Sequence, residues 1–364
     1  MRYAMIMAGG SGTRLWPMSR QEQPKQLIPF INGKSLLEVA VERLNGLVPQ
    51  KNIFICAGEH HKDAILKALP DFSEDRYLAE PEARDTLNAV GFSAAVIDRL
   101  DDNATMAVFT ADHIIEPVGQ FQSIVERGYG LAEHRADVLV TFGISPRYPA
   151  TGYGYLELDA PISDDARQVS EFKEKPDHET AQKYLDAGAD KYLWNSGMFV
   201  WRARTMMDCI RRFAPENHEG LSRIADAWNR DDRDAVLREL YPTLKKVSID
   251  YAVMEPASRD DQVKVAAIPM PLDWLDIGSW PSFAGTCDTD ENENALAAKK
   301  HLLLDTRNTL VASEDDDHLI TTIGCEDLLI IHTPKATLVC RADQADQLKT
   351  LYNKVKDKFG DKMV

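Results

Sequence analysis

The 364-residue sequence predicts an α/β protein with a mostly parallel sheet, followed by a small β-rich region at its carboxyl end. In the first half, short apolar strands alternate with amphipathic helices, which is typical of a parallel sheet covered by helices. Near the end, short strands recur about every nine residues, a spacing that favours a small β-solenoid or a meander. The first strand stops at two glycines and leads into a basic loop.

Four buried strands are predicted in the first half, because short runs of apolar and β-branched residues are typical of buried strands. These runs cover residues 3–7, 53–57, 106–109 and 138–142. Two helices are predicted between the strands, and their apolar faces are formed by Leu36, Leu37, Ala40, Val41 and Leu44, and by Leu87, Val90, Ala94 and Ile97. After residue 154 the pattern is mixed, with helices predicted near 177–187 and 203–212. Ligands of such sheets bind beyond the carboxyl ends of the strands, where we expect the glycine loop.

The last part of the chain has a different character. Residues 284–300 predict an exposed acidic connector, because they carry Asp288, Asp290, Glu291 and Glu293. Beyond it, short strands are expected to begin at or near Leu302, Leu310, Leu319, Leu328 and Thr337. A final helix is predicted with one apolar face, formed by Leu348, Leu351, Tyr352, Val355 and Phe359. We therefore predict a first domain over 1–283 and a second over 284–364.

The amino-acid composition limits the classes of possible partner and the cellular compartment that we expect. The net charge of −16 argues against general binding to nucleic acid or to anionic membranes. The five cysteines are far apart and lack CxxC spacing, so we expect reduced, mostly buried thiols. The first apolar run is too short for a signal peptide, and no later stretch is long enough to span a bilayer. We therefore expect a cytoplasmic protein.

The loop after the first strand reads Ala8-Gly9-Gly10-Ser11-Gly12-Thr13-Arg14. Glycines allow backbone N–H groups to approach a ligand, and a concave row of such groups binds anions. The first 34 residues have a local charge balance of +4, from Arg2, Arg14, Arg20, Lys25 and Lys34 against Glu22. The string is neither a P-loop nor a dinucleotide fingerprint, because Leu15 stands where the latter needs a third glycine. It predicts a polyphosphate site, and a solvated glycine turn stays an alternative.

The continuation Trp16-Pro17-Met18-Ser19-Arg20, followed by Gln23-Pro24-Lys25-Gln26, makes the whole pattern more specific. It resembles the signature loop of sugar-nucleotide pyrophosphorylases, in the branch of bacterial mannose-1-phosphate guanylyltransferases. The resemblance implies a Rossmann-like, GT-A-like nucleotidyltransferase domain and a short left-handed β-helix. It also implies transfer of GMP from GTP to α-D-mannose 1-phosphate, which gives GDP-mannose and pyrophosphate.

Such a transfer is an in-line displacement at the α-phosphorus between two anions, so the protein must supply metal, cations and alignment. By resemblance, Arg14 stabilises the pyrophosphate and Lys25 neutralises the reacting phosphates. Asp112 follows a strand and is well placed to hold Mg²⁺ with its oxygen atoms, although a turn-capping role stays open. In the family, aspartates at the motifs of Asp112 and Asp276 share the metal. His113 is expected beside the metal rather than as a ligand.

Three further motifs are implied to bind the sugar phosphate. Gly152 and Tyr153 offer a close-approach glycine and an aromatic wall, while Glu174 and Lys175 offer a carboxylate for hydroxyls and a cation for the phosphate. Asn195 offers an amide that can donate to and accept from vicinal hydroxyls. Each motif alone is weak, since the charge pair could be solvated and the neighbouring tryptophan could belong to the core.

The implied nucleotide site includes Glu80, Arg84, Asp85 and Thr86 as well as the glycine loop and Asp112. A simple helix-capping role for Asp85 or Thr86 stays open. The family usually has asparagine where Asp85 stands. Prolines are usual near Asn88 and at Thr110, so these departures bear on guanine selectivity.

Other readings of the function stay open. The same chemistry could act on another sugar 1-phosphate or NTP, or the protein could be a catalytically silent regulator that binds a GDP-sugar. Many relatives continue into an isomerase domain, and because this chain ends at Val364 we expect no isomerase activity. A homodimer is expected, held partly by residues after about Leu302, because a small solenoid leaves an exposed edge.

Overall fold

The computed structural model describes residues 1–10, 12–31 and 33–364. These residues form two compact units, and each unit is assembled from separate segments of the chain. Unit 1 comprises Met1–Gly9, Ala40–Ala111 and Ile115–Trp274, and unit 2 comprises Gly10–Val39, Asp112–Ile114 and Leu275–Val364. The domain boundary expected after residue 283 stays a prediction.

Unit 1 contains a nine-stranded mixed sheet in the order β3-β2-β1-β4-β9-β6-β10-β8-β7. Its strands are β1 (Arg2–Met7), β2 (Ile53–Gly58), β3 (Tyr77–Glu80), β4 (Thr105–Thr110), β6 (Val138–Ile144), β7 (Tyr155–Ser163), β8 (Ala166–Lys173), β9 (Tyr192–Arg202) and β10 (Lys264–Pro269). A separate pair is formed by β5 (His113–Glu116) and β11 (Asp273–Asp276).

The four strands predicted in the first half are present, and each is extended by one or two residues. β3, β2, β1 and β4 run parallel, and so do β6 and β10. β9 lies antiparallel between β4 and β6, which makes the sheet mixed. Every residue of β4 and β6 is buried, as expected for central strands that helices cover on both faces.

Helices account for most of the remaining structure. They are α1 (Leu36–Glu42), α2 (Lys62–Ala68), α3 (Asp85–Leu100), α4 (Val118–His134), α5 (His178–Ala187), α6 (Ala203–Phe213), α7 (Pro215–Asp226), α8 (Arg233–Leu240), α9 (Glu255–Ser258), α10 (Trp280–Ala284) and α11 (Leu348–Phe359). The predicted apolar face of α3 is buried, and the helix near 177–187 begins after Asp177, whose carboxylate accepts the Thr180 N–H at 2.8 Å. The α/β class is confirmed.

The carboxyl end of unit 2 consists of short stacked strands. They are β12 (Ala295–Ala297), β13 (Lys300–Leu304), β14 (Leu310–Ser313), β15 (Leu319–Ile323), β16 (Leu328–His332) and β17 (Thr337–Arg341). β12, β14 and β16 are parallel neighbours, β13 and β15 form a second parallel pair, and β17 closes the first sheet in the antiparallel direction. The predicted strand positions are confirmed, and four of the five residues named for them begin a strand.

Two predictions about this region need correction. The expected acidic connector contains a strand, β12, because buried Asn294 and Ala295 already belong to the first coil. Asn294 Nδ2 donates to the Thr306 carbonyl at 2.8 Å, which ties the connector to the next turn. The predicted apolar face of α11 is incomplete, since Leu348 is buried but Leu351 and Phe359 are 38% and 63% exposed.

The first segment of unit 2 is anchored to residues far along the chain. The Trp16 indole donates to the Met363 carbonyl at 2.9 Å, and the Trp280 indole donates to the Trp16 carbonyl at 2.9 Å. Arg20 donates to both carboxylate oxygens of Glu314, at 2.9 and 3.0 Å. The loop that precedes Trp16 therefore rests on a framework made by the other end of the sequence.

Neither disulfides nor membrane spans constrain the part of the chain that the structure describes. Cys56 and Cys209 are buried, while Cys287, Cys325 and Cys340 are half-buried, and all five are free thiols. The expectation of mostly buried thiols therefore holds for two of them only. Among the described residues, no helix has the length and apolar character that a membrane crossing requires.

Candidate active site

A cluster of possible metal ligands lies in unit 2. One ligand atom from each of Asp112, His113 and Asp276 can be chosen so that all three lie within 4.8 Å of one another. The backbone holds the cluster together, because the Ile277 N–H donates to the Asp112 carbonyl at 3.0 Å. Two carboxylates and an imidazole therefore meet where the sequence predicted a shared aspartate pair. Their oxygen atoms fit a hard divalent cation such as Mg²⁺.

Two basic side chains balance these carboxylates. Lys25 forms a short ion pair with Asp112. Burial works to raise the pKa of Asp112, yet Lys25 and His113 lower it, and the net shift is downward. Burial and then the negative charge of Asp112 raise the pKa of Asp276 to about 6, against the opposing charges of Lys25 and Arg14. The cluster is therefore a compact group of opposite charges, of the kind found at functional sites.

Gly278 allows Arg14 to approach Asp276. A Cβ at position 278 would lie 3.2 Å from Arg14 Nη2 and 3.4 Å from both carboxylate oxygens of Asp276. Any larger residue would therefore push the guanidinium or the carboxylate aside. Sequence reasoning named the motif around Asp276 but missed this glycine, and its only sequence signal is its place two residues after the aspartate.

The glycine loop has the strained backbone that only glycine adopts easily. Gly10 and Gly12 have φ values of 110° and 57°, in the left-handed region. A Cβ at Gly12 would lie 2.1 Å from Ser19 Oγ and 3.2 Å from Lys25 Cβ, so the loop packs closely against the segment that carries Lys25. Thr13 then opens a 3₁₀ turn that includes Arg14, and Ser11 lies outside the described residues.

Two of the basic residues near the loop have partners elsewhere. Arg20, expected to add positive charge near the loop, pairs with Glu314 at 2.9 Å, and its contribution to a polyphosphate site stays a prediction. Arg2 pairs with Glu133 at 2.7 Å and also with Glu126.

In unit 1, Ala8 and Gly9 follow β1 and lie near a buried carboxylate. Ala8 donates its N–H to the Cys56 carbonyl at 2.9 Å. A Cβ at Gly9 would lie 3.5 Å from Glu80 Oε2. The Tyr241 hydroxyl donates to Glu80 Oε1 at 2.7 Å, and burial raises the pKa of Glu80. Tyr241 was not predicted, because its role depends on a partner far away in the sequence.

The polar side chains of the segment that opens α3 form hydrogen bonds and an ion pair within unit 1. Asp85 has a φ of 67°, and its carboxylate accepts the Thr86 N–H at 2.8 Å. Thr86 Oγ1 accepts the Ile249 N–H at 2.9 Å, and Arg84 pairs with Glu82 at 3.0 Å. Neither Asp85 nor Thr86 is the N-cap, because that position belongs to Arg84.

Asn88 also has a structural role. Its amide nitrogen donates to the Lys245 carbonyl at 2.9 Å and its oxygen accepts from Asn217 at 2.8 Å. It is completely buried and lies in the interior of the helix. This departure from the family pattern therefore serves packing within unit 1.

The residues predicted to bind the sugar phosphate form a second cluster in unit 1. Glu174 and Lys175 form a short ion pair. Asn195 Oδ1 accepts from Thr141 Oγ1 at 2.8 Å, and Asn195 Nδ2 donates to Asp250 Oδ1 at 3.1 Å. The structure therefore brings the predicted carboxylate, cation and amide into one unit, and it adds Asp250, which sequence reasoning missed.

The glycine and the aromatic residues of the predicted sugar site are arranged differently than expected. A Cβ at Gly152 meets no atom of the described residues within 4 Å, whereas a Cβ at Gly154 would lie 2.6 Å from Glu174 Oε2. The close approach within the protein is therefore at Gly154. The Tyr153 ring contacts both Trp194 and Trp274, with its centroid 5.2 Å from that of each.

Comparison with protein families supports the nucleotidyl transfer that the sequence predicts. The model described as "Nucleotidyl transferase" matches residues 3–293. A second model, described as "MannoseP isomerase/GMP-like beta-helix domain", matches residues 299–355.

Individual relatives agree with the family matches. A mannose-1-phosphate guanylyltransferase of Klebsiella pneumoniae is 35% identical over 357 residues, which are 96% of this chain and 73% of the relative. Xanthan biosynthesis protein XanB of Xanthomonas campestris pv. campestris is 33% identical over 97% of this chain and 73% of the relative.

Solved structures show the same architecture. A Thermus thermophilus protein, described as a mannose-1-phosphate geranyltransferase, has a TM-score of 0.84 and 31% identity, over 98% of this chain and 99% of that chain. A mannose-6-phosphate isomerase of Helicobacter pylori has a TM-score of 0.60 at 24% identity, over 76% and 100% of the two chains, and supports the fold alone. The chain belongs to the nucleotidyl transferase family, in its mannose-1-phosphate guanylyltransferase branch, and is a nucleotidyltransferase.

Proposed function

We propose that the protein transfers GMP from GTP to α-D-mannose 1-phosphate and releases pyrophosphate, with GDP-mannose as the product. The family implies a nucleoside triphosphate and a sugar phosphate as substrates. The observation that carries the proposal is the charge cluster of unit 2, in which two carboxylates meet two cations. A catalytically silent binding protein would be expected to lose Arg14, Lys25 or one of the two aspartates, and this chain keeps all four.

Mg²⁺ is the proposed cofactor, and Asp112 and Asp276 are the proposed ligands. Their oxygen atoms suit this ion, and His113 is close enough to steady their orientation. When bound, Mg²⁺ would neutralise phosphate charge and help to align the reacting groups. Lys25 pairs with Asp112, so a cation held by this carboxylate would compete with the lysine for it.

Lys25 is the proposed partner of the reacting phosphates, and Arg14 is the proposed partner of the departing pyrophosphate. Preorganised cations of this kind stabilise the charge that develops during the transfer. The backbone N–H groups of the loop at residues 8–13 are proposed to hold the triphosphate, since left-handed glycines expose such groups. Glu80, Arg84, Asp85 and Thr86 are proposed to lie beside the nucleoside.

The second cluster is proposed to bind mannose 1-phosphate. Glu174 would accept from sugar hydroxyls, Asn195 would donate to one, and Lys175 would pair with the phosphate. Tyr153 offers an aromatic surface at the same cluster, and Gly152 leaves room for the sugar.

The carboxyl-terminal region is proposed to act as a scaffold and as the contact of a homodimer. Its supporting observation is the outer face of the β13–β15 pair, which we call the leucine face: Leu302, Leu304, Leu319 and Ile323, each between 56% and 74% exposed. Adjacent exposed apolar side chains of this kind commonly mark a protein interface. A catalytic region over 1–283 and a cytoplasmic location are also proposed, the latter because all five cysteines are free thiols.

One experiment tests the proposed reaction directly. Pyrophosphate release is measured with the purified protein, Mg²⁺, and a matrix of NTPs and sugar 1-phosphates. We expect the highest kcat/KM with GTP and mannose 1-phosphate. A clear preference for another pair would correct the substrates, and no release with any pair would overturn the proposed reaction.

A further inference from the structure

Asp250 is a carboxylate of the sugar-phosphate cluster that belongs to none of the predicted motifs. It begins a single π-helical turn, Asp250–Met254, which follows a loop of unit 1. Such turns are rare and frequently occur at functional sites. The carboxyl group is half-buried, and its Oδ1 accepts a hydrogen bond from Asn195.

Asp250 is one of three hydrogen-bond partners that fix the orientation of the Asn195 amide. The Asn195 oxygen accepts from Thr141 Oγ1 at 2.8 Å and from the Gly197 N–H at 3.3 Å. The amide nitrogen therefore points the other way, and it donates to Asp250 Oδ1 at 3.1 Å. A primary amide has two N–H groups, so the second one remains to bind a sugar hydroxyl.

The charges around Asp250 are unbalanced. Three charged groups act on it: Glu174 and Lys175, which follow β8, and Asp85, at the start of α3. Burial, and then the charge of Glu174, raise the pKa of Asp250 to about 7, while Lys175 lowers it. A sugar phosphate would bring up to two further negative charges to this place.

We propose that Asp250 is a positioning residue for the sugar 1-phosphate, which orients the Asn195 amide and takes up a proton when the phosphate pairs with Lys175. The inference rests on the proposed function, because it takes this cluster as the sugar-phosphate site. The proton comes from solvent and goes to the Asp250 carboxylate, so one negative charge disappears as the phosphate arrives. Protonated Asp250 can still accept from Asn195, and the amide keeps its orientation.

The sign of the pH dependence follows from this proton uptake. Below a pH of about 7 the carboxyl is already protonated in the free enzyme, and binding needs no further proton. Above that pH, the free enzyme must first be protonated, so the KM for the sugar phosphate rises with pH. If only the protonated form binds, KM rises by about fifteenfold between pH 7 and pH 8.5.

The test compares KM and kcat for mannose 1-phosphate from pH 6 to 9 in wild type, Asp250→Asn and Asp250→Ala. The Asn variant keeps an oxygen that can accept from Asn195 but cannot ionise, so we expect its KM not to rise with pH as the KM of wild type does. The Ala variant removes the acceptor, so its KM should be raised at every pH. The phosphate's own ionisation is common to all variants and cancels in the ratio to wild type. Asp165→Asn, an exposed aspartate paired with Arg127, is the matched control and should follow wild type.

Two results separate failure of the inference from failure of the proposed function. Turnover with parallel KM profiles in wild type and Asp250→Asn would overturn the role of Asp250 alone. No turnover at any pH would overturn the proposed function instead. A ¹³C NMR titration of the Asp250 carboxyl gives an independent readout, since a midpoint near pH 7 supports the inference and one below about pH 5 overturns it.

Discussion

Replacing Lys25 by alanine should change turnover and metal binding in opposite directions. Lys25 pairs with Asp112, the same carboxylate that is proposed to hold Mg²⁺. Without the lysine, the cation competes with no ammonium group for Asp112. The reacting phosphates, however, lose one fixed positive charge. We therefore expect a variant that binds Mg²⁺ more tightly and turns over much more slowly.

The size of the effect on turnover follows from the burial of the lysine. Its side chain is only 12% exposed, so its charge is poorly screened by water. A unit charge about 4 Å from a phosphate oxygen contributes up to about 4 kcal/mol at an effective dielectric constant of ~20. Part of this interaction already exists in the ground state, so we expect a loss of about 10² to 10³ in kcat. Tighter Mg²⁺ binding should amount to about tenfold, since one opposing charge is removed.

The assay is pyrophosphate release at saturating GTP and mannose 1-phosphate over a range of Mg²⁺ concentrations. Lys335→Ala is the matched control, because this lysine belongs to the same unit and pairs with Glu22 at 3.2 Å. It should behave as wild type. Near-normal kcat in Lys25→Ala would remove Lys25 from the mechanism. A higher Mg²⁺ requirement would show that the lysine assists the metal rather than competing with it.

Four other outcomes are expected. Asp112→Asn and Asp276→Asn should each raise the Mg²⁺ requirement and lower kcat. Only Asp276→Asn should do so without a lower Tm in the absence of metal, because its carboxylate lies against the negative charge of Asp112, whereas Asp112 also pairs with Lys25. Gly278→Ala should lower kcat by about tenfold at nearly unchanged Tm, because its Cβ displaces Arg14 or the carboxylate. Leu319→Glu on the leucine face should convert a dimer into a monomer in light scattering at micromolar concentration. Asp250→Asn should be more stable than wild type at pH 8, by up to about 4 kcal/mol, and equal to it near pH 4, because the raised pKa makes the wild type lose stability as pH rises from about 4 to about 7.

Controls make these outcomes decisive. Gly285→Ala, whose added Cβ would meet only a backbone oxygen at 3.4 Å, should leave kcat unchanged. Leu100→Glu, on an exposed leucine of unit 1, should leave the dimer intact. Unchanged Mg²⁺ titrations in both aspartate variants would contradict the shared-ligand assignment. A wild-type protein that is only monomeric would contradict the dimer proposal, and equal pH–stability curves would contradict the raised pKa of Asp250.

The strands could be predicted because their signals are local, and the two charge clusters because their motifs resemble those of a known family. A short apolar run with no charge and with β-branched or aromatic residues, such as β4, is typical of a buried strand. The recurrence of Leu310, Leu319 and Leu328 reflects one coil of the solenoid per repeat, and each begins a strand as expected. Asp112 and Asp276 were found from the motifs around them, and the structure brings them together in unit 2.

The remaining features could not be predicted because they depend on partners that are distant in the sequence. The pairing of Arg20 with Glu314 could not be predicted, because no local pattern links the two residues. Asp250 lacked a motif because its role comes from Asn195 and Glu174 on other elements. Leu351 was assigned to the apolar face of α11 from its spacing alone. Spacing does not show how much of that face the rest of the protein buries.

The anchoring of Trp16 has a consequence for the order in which the protein becomes active during synthesis. The loop that carries Arg14 leaves the ribosome well before the partners of Trp16, Trp280 and Met363, are made. Contacts between such distant positions close large loops and therefore form late in folding. The first parallel strands of unit 1 can pair while synthesis continues, but the loop that carries Arg14 must wait for its support. A nascent chain would thus pair β1 to β4 well before this loop reaches its final place.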